Sequence, residues 1–430
     1  MSRFIADLEI HSKYARAVSP QMLLPNLALW AAKKGIGVLS TGDVTHPLWF
    51  VEISEKLEPA EPGLFRLKKQ HCLPGSFDSL APRFLLGGEV SCVYKKGGKV
   101  RRVHHLIYAP TLDAVRKINT RLAAIGNIHS DGRPILGLDS KELLKIILDV
   151  STDSVLIPAH VWTPWFGLFG SMSGFNSLAE CFDELTPQIF AVETGLSSDP
   201  PMNWRVPFLD DRAIISGSDS HSLTRLGREA TIFDFDTDLN YVGIFESLRT
   251  RDKRFIGTIE FFPEEGKYHY DGHRLCQISF GPEETKKYSG RCPVCGKPLT
   301  IGVMNRVAEL ATSDRPVGWN PAWAKTFYRF VTLDELIGEA LDLGKQSKAV
   351  WKEYEAAIQK FGSEFAILLD ASEGDLRSGL PPAVAEAVCR MRRGEVTITP
   401  GYDGEYGVIK IFKDEADRAN AASANQSSLF

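Results

Sequence analysis

Seven short apolar or β-branched runs divide the first 262 residues, and nearly every one ends in, or just before, a polar residue: Phe4 to Ile10, Gly37 to Thr41, Arg83 to Glu89, Val103 to Tyr108, Val155 to Ala159, Phe190 to Glu193 and Ala213 to Ser218. Helical patterns such as Gln21 to Lys34 and Ser140 to Asp149 lie between them, the second opened by Asp139 or Ser140 as N-cap. Strand and helix taking turns is the rhythm of parallel strands joined by helices, so the expected class is α/β, as a barrel or a sheet. Such architectures keep their chemistry at the C-terminal ends of the strands, which is where this chain puts its acids and histidines.

Five clusters occur in strand order. DLEIH places Asp7, Glu9 and His11 at alternate positions, which share one face of a strand. TGDVTH supplies Asp43 and His46, LLGGEVS supplies Glu89, and VHHLIYAP supplies His104 and His105. His160 closes VLIPAH, and GSDSH brings Asp219 and His221. A lone strand-end histidine or aspartate is usually a capping or hydrogen-bonding residue, but random capping does not repeat in this way. Hard carboxylates mixed with imidazoles suit zinc, manganese or iron, and two or three such ions activate water and neutralise a phosphate. The expected chemistry is metal-dependent phosphoester hydrolysis.

At 430 residues the chain exceeds the usual size of a single core, so more than one unit is expected. With 43% hydrophobic and 24% charged residues it reads as an ordinary soluble globular protein. A basic leader and a long apolar run are not found, so a cytoplasmic protein that spans no membrane is expected. The net charge of −4 supplies no global field for nucleic acid, which leaves local basic patches as the way to bind it. Absence of coiled-coil heptads favours a monomer.

Residues 266–305 are rich in Gly, Cys and His and too poor in apolar residues for a core of their own. There His273, Cys276, Cys292 and Cys295 form HxxC, a 15-residue gap and CPVC, a spacing that suits one structural zinc held by four ligands with no open position. Residues 306–412 are expected to be mainly helical. A capping box of Thr332 and Glu335 opens a helix running to Leu343, followed by helices over Lys348 to Phe361 and Pro381 to Arg393 and a strand over Val408 to Phe412. Residues 413–430 read as a flexible tail.

The ordered motifs resemble the polymerase and histidinol phosphatase (PHP) superfamily over residues 4 to 262. That resemblance implies a distorted (β/α)7 barrel with up to three metals. It places His11, Glu9, Glu89 and Asp219 at one metal, with Glu89 bridging to a second held by His105 and His160, and assigns His221 and Asp43 to a third. His105 is preferred to His104 because it aligns with the strand histidine of the pattern. Asp7, Asp43, His46, Asp219 and His221 are the candidate catalytic residues. The chain departs from the pattern in having Glu9 where a histidine usually stands. The TGDVTH insertion leaves Asp43 and His46 as alternative ligands, and no histidine near Arg16 completes the third site.

The barrel followed by the zinc module and a helical unit resembles endonuclease Q, through DLEIHSKYARAVSP, TGDVTHPLWF, YDGHRLCQISF, CPVCGKPLTIGV and PGYDGEYGVIKIF. The family resemblance implies nicking 5′ to uracil, hypoxanthine, xanthine or an abasic site, with the damaged nucleotide extruded. It also implies structural zinc plus two or three active-site ions, as Zn, Mn or Mg. Trp162, Trp165 and Phe166 after His160 could stack on a base, with core packing as the competing reading. Lys345, Lys348, Arg390, Arg392 and Arg393 could meet phosphates or form a solvated face. The terminal QSSLF, through Gln426, Leu429 and Phe430, resembles a bacterial sliding-clamp-binding peptide and would bring the protein to the nucleoid. A histidinol-phosphate-type phosphatase and an inactive clamp-associated scaffold are the alternative readings.

Overall fold

The computed structural model describes residues 3–74, 81–236 and 239–423. Its strands are β1 (Arg3–Asp7), β2 (Ile36–Ser40), β3 (Leu57–Pro59), β4 (Phe65–Leu67), β5 (Arg83–Leu85), β6 (Gly87–Lys96), β7 (Lys99–Tyr108), β8 (Ile135–Leu136), β9 (Val155–Pro158), β10 (Ala191–Glu193), β11 (Ala213–Ile215), β12 (Ala230–Asp234), β13 (Phe255–Glu260), β14 (Asp271–His273), β15 (Ile278–Phe280), β16 (Thr326–Arg329), β17 (Thr397–Thr399) and β18 (Val408–Lys410). The fold is mixed α/β. One sheet runs in the order β16, β13, β12, β1, β2, β5, β4, β3, a second in the order β8, β6, β7, β9, and β10 pairs with β11 in parallel.

Single bonds link these sheets at the ends that carry the acids and histidines. Only Leu86 separates β5 from β6. Beyond β9, Val161 N donates to Glu193 O at 3.1 Å, and Thr194 N donates to Ile215 O at 3.0 Å. His11 N donates to Ser220 O at 3.0 Å, and a parallel bridge pairs Ile10 with Ser220, joining the segment after β11 to the segment after β1.

Helix Leu24–Lys34 packs Leu24, Leu27, Ala31 and Ala32 inward, and helix Ser140–Val150 does the same with Leu143, Leu144 and Ile147. Each large side chain so buried contributes roughly 1.5–3 kcal/mol. Asp139 is the N-cap of the second helix, accepting from Lys141 N at 2.8 Å. Trp49 is wholly buried, and its indole N–H donates to the carbonyls of Thr41 and Gly42, fixing the turn that follows β2.

Three sequence expectations are revised. The first strand ends at Asp7 instead of Ile10, with an irregular register between Ile5 and Ala6 against β2. Thr332 caps nothing with its side chain; its hydroxyl accepts from Arg225, as does Glu335, while Leu333 N donates to Glu364. Tertiary partners have displaced the local box, and that helix is Leu333–Leu341, ending at Asp342 in the left-handed region. Alongside its helices the segment 306–412 carries β16, which adds in parallel to β13, and β17 paired with β18. The expected tail folds in part as helix Glu415–Ser423: Asp417 receives a two-pronged bond from Arg390 and Ala421 is buried.

The C-terminal helices are fastened to the first unit by charge as well as packing. Lys34, 1% exposed, pairs with Glu364 at 2.6 Å, and Tyr354 donates to the same carboxylate at 2.7 Å. Among the described residues no helix is long and apolar enough to cross a membrane.

Candidate metal centre

The segments following β1, β9 and β11 and the paired strands β6 and β7 deliver their acids and histidines to one buried place. Three overlapping groups there have ligand atoms mutually within 4.8 Å: Glu9 with Glu89 and Asp219, His11 with Asp219 and His221, and Glu89 with His104 and His160. Glu89 and Asp219 join the three groups. His11 Nε2 lies 3.2 Å from Glu89 and 3.1 Å from Asp219, while His104 Nδ1 and His160 Nε2 lie 2.5 and 3.1 Å from the other oxygen of Glu89.

The backbone is held unusually to achieve this. Asp43, His160 and Asp219 all have positive φ, at 46°, 29° and 45°. For non-glycine residues such conformations cost of order 1–3 kcal/mol each, and they persist where surrounding structure imposes them. Gly195 backs directly onto the His160 Cβ and Gly132 onto the Asp43 carboxylate, so a side chain at either position would collide with the site.

Electrostatics follow from crowding acids in a dry place. Burial pushes Glu9 well above the usual carboxylate range, reinforced by Glu193, Asp219 and Glu89. Burial acts on His11 in the opposite sense but is overcome by Asp43, Asp219 and Glu89, which raise it. Burial also opposes ionisation of Glu89, yet His104 and Arg133 hold it well below its ordinary value. Both oxygens of Glu9 are buried without a hydrogen-bond partner among the described residues. Ionised oxygens so placed need a cation. Mixed carboxylate and imidazole donors suit divalent ions, so the residues present fit metals.

Around this set lies a second layer. Asp43 receives His11 Nδ1 at 2.9 Å, with its other oxygen accepting from Ser12 N and Oγ at 2.6 and 2.7 Å, so it fixes the ring of His11. Glu193 accepts from the backbone N–H groups of His160, Gly195 and Gly217, and burial pushes it up to about 7. Arg133 donates to Glu89 at 3.0 Å. Glu193 and Arg133 were not singled out in the sequence; the polar end of the Phe190 to Glu193 run was the available signal for the first.

Beside the centre a cleft of about 560 Å³ is lined by Trp165, Arg225, Arg228, Lys267, Tyr268 and Lys345. It unites the first unit, the Cys/His segment and the helical unit around a basic, aromatic wall. The other Cys/His group stands apart: the ligand atoms of His273, Cys276, Cys292 and Cys295 also lie within 4.8 Å of one another, with Cys295 Sγ 3.7 Å from His273 Nδ1.

The family model for the MJ0043 C-terminal domain matches residues 332–395. An uncharacterized protein of Methanocaldococcus jannaschii, MJ0043, is 34% identical over 61% of this chain, which spans 34% of that protein's length. The uncharacterized protein YqxK of Bacillus subtilis is 29% identical over 95% of the chain and is spanned completely. The crystal structure of the lesion-specific endonuclease PfuEndoQ of Pyrococcus furiosus superposes with a TM-score of 0.82 at 29% identity, covering 100% of this chain and 99% of its own. Endonuclease Q in complex with a 27-mer duplex bearing an abasic lesion at the active site gives 0.80 at 30% identity, covering 96% and 97%. The chain belongs to the endonuclease Q family.

Of the metal ligands expected from the sequence motifs, the structure brings together Glu9, His11, Glu89, His160, Asp219 and His221. It exchanges His105 for His104. Successive residues of β7 face opposite ways, and His105 turns outward to Ser140 Oγ at 2.7 Å and the Phe182 ring. Asp7 is no ligand: its carboxylate accepts from Ser218 N and Gly227 N, bracing the chain behind the site, and burial raises it to about 6. Asp43 and His46 both stand outside the ligand groups; His46 caps helix Pro47–Lys56, stacks on Tyr14 and bonds His129 O at 3.0 Å.

The DNA-facing candidates divide as well. Trp165 is 39% exposed in the cleft, whereas Trp162 is 1% exposed, donates to Asn203 and packs on Phe169 as core. Phe166 sits half-buried against the His104 ring. Lys345 lines the cleft while pairing with Glu335 at 2.6 Å, and Lys348 is exposed at a helix start. Arg390, Arg392 and Arg393 are occupied by Asp417, by backbone carbonyls 367, 368 and 371, and by Glu373 and Glu395 respectively, so they hold the helical unit together. Gln426, Leu429 and Phe430 lie outside the described residues.

Proposed function

We propose that this protein nicks DNA on the 5′ side of deaminated bases (uracil, hypoxanthine or xanthine) and of abasic sites, by metal-dependent hydrolysis. The observation that carries the reading is the convergence of Glu9, His11, Glu89, His104, His160, Asp219 and His221 beside a basic aromatic cleft, in a chain that superposes along its length on an endonuclease Q bound to a lesion duplex. In this reading the linked sheets form a distorted (β/α)7 PHP barrel over residues 1–265. Residues 266–305 are a zinc module, 306–412 a DNA-binding unit, and 413–430 end in a sliding-clamp peptide. The protein works as a monomer on the nucleoid.

Two or three divalent ions, Zn, Mn or Mg, would be held by Glu9, His11, Glu89 and Asp219, by Glu89, His104 and His160, and by His11, Asp219 and His221. When bound they supply positive charge for a phosphodiester and acidify water into a nucleophile. Asp43 holds His11 in one orientation and Glu193 anchors the His160 backbone, so the donor set is placed before substrate arrives. Trp165 and Tyr268 offer faces for an unstacked base, while Arg228 and Lys267 meet its flanking phosphates. His273, Cys276, Cys292 and Cys295 would hold one structural zinc, which would supply the cross-link that their segment lacks in apolar core.

The test is a labelled duplex carrying one deoxyuridine, deoxyinosine or abasic site, incubated with Mg or Mn. A single 5′ cut by native protein, absent with Asp219→Ala, is expected. Release of phosphate from small phosphomonoesters without nicking would replace this reading with a phosphatase.

A further inference from the structure

Arg133 is carried on a loop pinned from both sides. Gly132 N donates to Tyr14 O at 3.0 Å, Ser91 N donates to Pro134 O at 3.0 Å, and Arg133 N donates to Asp131 Oδ1 at 3.2 Å. Gly132 also abuts the Asp43 carboxylate, so this loop is in register with the layer that orients His11. From that base the guanidinium reaches Glu89 Oε2 at 3.0 Å. The other ion pairs drawn by Glu89 and Asp219 among the described residues are with histidines. Arg228, at the opposite edge, gives Nε and Nη2 to the carbonyls of Ser218 and Asp219 and turns to the cleft, not to a carboxylate of the ligand set.

Two features set Arg133 apart from a simple counter-ion. Its side chain is 28% exposed whereas Glu89 is 1% exposed, so Arg133 runs from the buried ligand set toward solvent. A guanidinium also has five N–H donors in a rigid fork, and Glu89 engages Nη1 alone. The remaining edge matches the geometry of two phosphate oxygens.

We infer that Arg133 is a catalytic residue of the nicking reaction, donating hydrogen bonds to the non-bridging oxygens of the scissile phosphodiester. The inference rests on the phosphodiesterase reading above. Negative charge builds on those oxygens as the attacking hydroxide oxygen bonds to phosphorus, and passes to the departing ester oxygen as its P–O bond breaks, so a donor fixed in place beforehand stabilises the transition state more than the bound substrate.

The experiment compares native protein with Arg133→Ala and Arg133→Lys on the lesion duplex, measuring single-turnover rate, affinity for the duplex in calcium, and metal per chain. Arg133→Ala is expected to lose about 10²–10³-fold in rate, as for removal of one transition-state donor. Its affinity should stay within about threefold and its metal content unchanged, with lysine restoring little and added guanidinium restoring part of the rate to the alanine variant. A loss of metal in step with the rate overturns the inference and makes Arg133 a support for Glu89. A rate within about threefold of native also overturns it. Bis(p-nitrophenyl) phosphate is run in parallel: if native protein leaves the duplex uncut yet hydrolyses this diester, the DNA reading fails while the same criteria on the diester decide Arg133.

Discussion

The two ligand groups of this chain solve the same problem in opposite ways. The carboxylate and imidazole set is assembled from residues 9 to 221, wholly or largely buried, and braced by strained backbone and a second layer of hydrogen bonds. The His/Cys set comes from 23 residues of chain, with Cys276 half-buried and Cys295 exposed, in a segment whose regular structure amounts to one short hairpin and brief helices. The first is surrounded by an extensive buried core. The second has little core and would be organised by its ion. Rigidity suits a site that must keep positions open for substrate, and local closure suits a staple.

Losing a ligand should therefore separate the two sites cleanly. Glu9→Gln keeps the shape of an otherwise unpartnered side chain and relieves repulsion from Glu89, Glu193 and Asp219. Nicking is expected to fall by about 10³-fold or more with no decrease in Tm, because a charge needed for metal is removed from a frame that does not need it. A parallel loss of folding would mean that the first unit, like the Cys/His segment, depends on its ions. Cys292→Ser tests the converse. One zinc per chain should be lost, protease should cut within 266–305, and lesion-duplex affinity should drop about tenfold, while the main melting transition moves by only about 2–4 °C. Retention of zinc and of protease resistance would show that the segment is held by packing after all.

A finer division runs through adjacent residues of β7. His104→Ala should cost about 10²-fold in nicking together with metal, since its ring reaches Glu89. His105→Ala should leave the rate within about threefold but lower stability by roughly 2 kcal/mol, through a cavity beside Phe182 and loss of the Ser140 bond. Thermal melts and nicking rates of the pair measure both effects, and equal activity losses would put the ligand role back on His105.

That pair also shows how much of the site was legible from sequence. Order and residue type were readable because the acids and histidines fall in or just after apolar runs; Glu9, His11, His160 and Asp219 follow strand ends, whereas Glu89 and His104 lie within the antiparallel pair β6 and β7. The phase was not: two adjacent histidines are distinguished only by strand register, which pairs His104 with Ser91 and His105 with Val90. Likewise, alternate spacing predicted one face for Asp7, Glu9 and His11, but the strand ends at Asp7 and the chain leaves its pleat, sending that carboxylate to Ser218 and Gly227. Second-layer partners such as Glu193 and Asp43 are fixed by contacts across more than 30 residues, which no local pattern encodes. The core of the C-terminal unit was visible in its helical periodicity, whereas the pairing of β16 with β13 depends on a neighbour some 70 residues away.

The smallest expected effect lies where the two regions meet, at the cleft. Glu265 lines it beside Glu335, Lys345 and Arg225, and burial together with Glu335 pushes its carboxyl up to about 8. Below that pH the cleft holds a neutral acid; above it, a negative charge that opposes DNA phosphates. Affinity for a lesion duplex should thus decline as pH rises through about 8, by a few-fold, and Glu265→Gln should flatten the profile. The stability sign is the reverse of a salt-bridged carboxylate. The folded state retains a proton that the unfolded chain releases near its ordinary value, so stability falls between that value and about 8 and is level above. Glu265→Gln should accordingly raise Tm relative to native protein at pH 9 more than at pH 5. Fluorescence anisotropy and melting curves across that range check both slopes. An unchanged binding slope in Glu265→Gln would place the titrating group among the metal ligands, and so return the pH dependence of DNA binding to the buried centre.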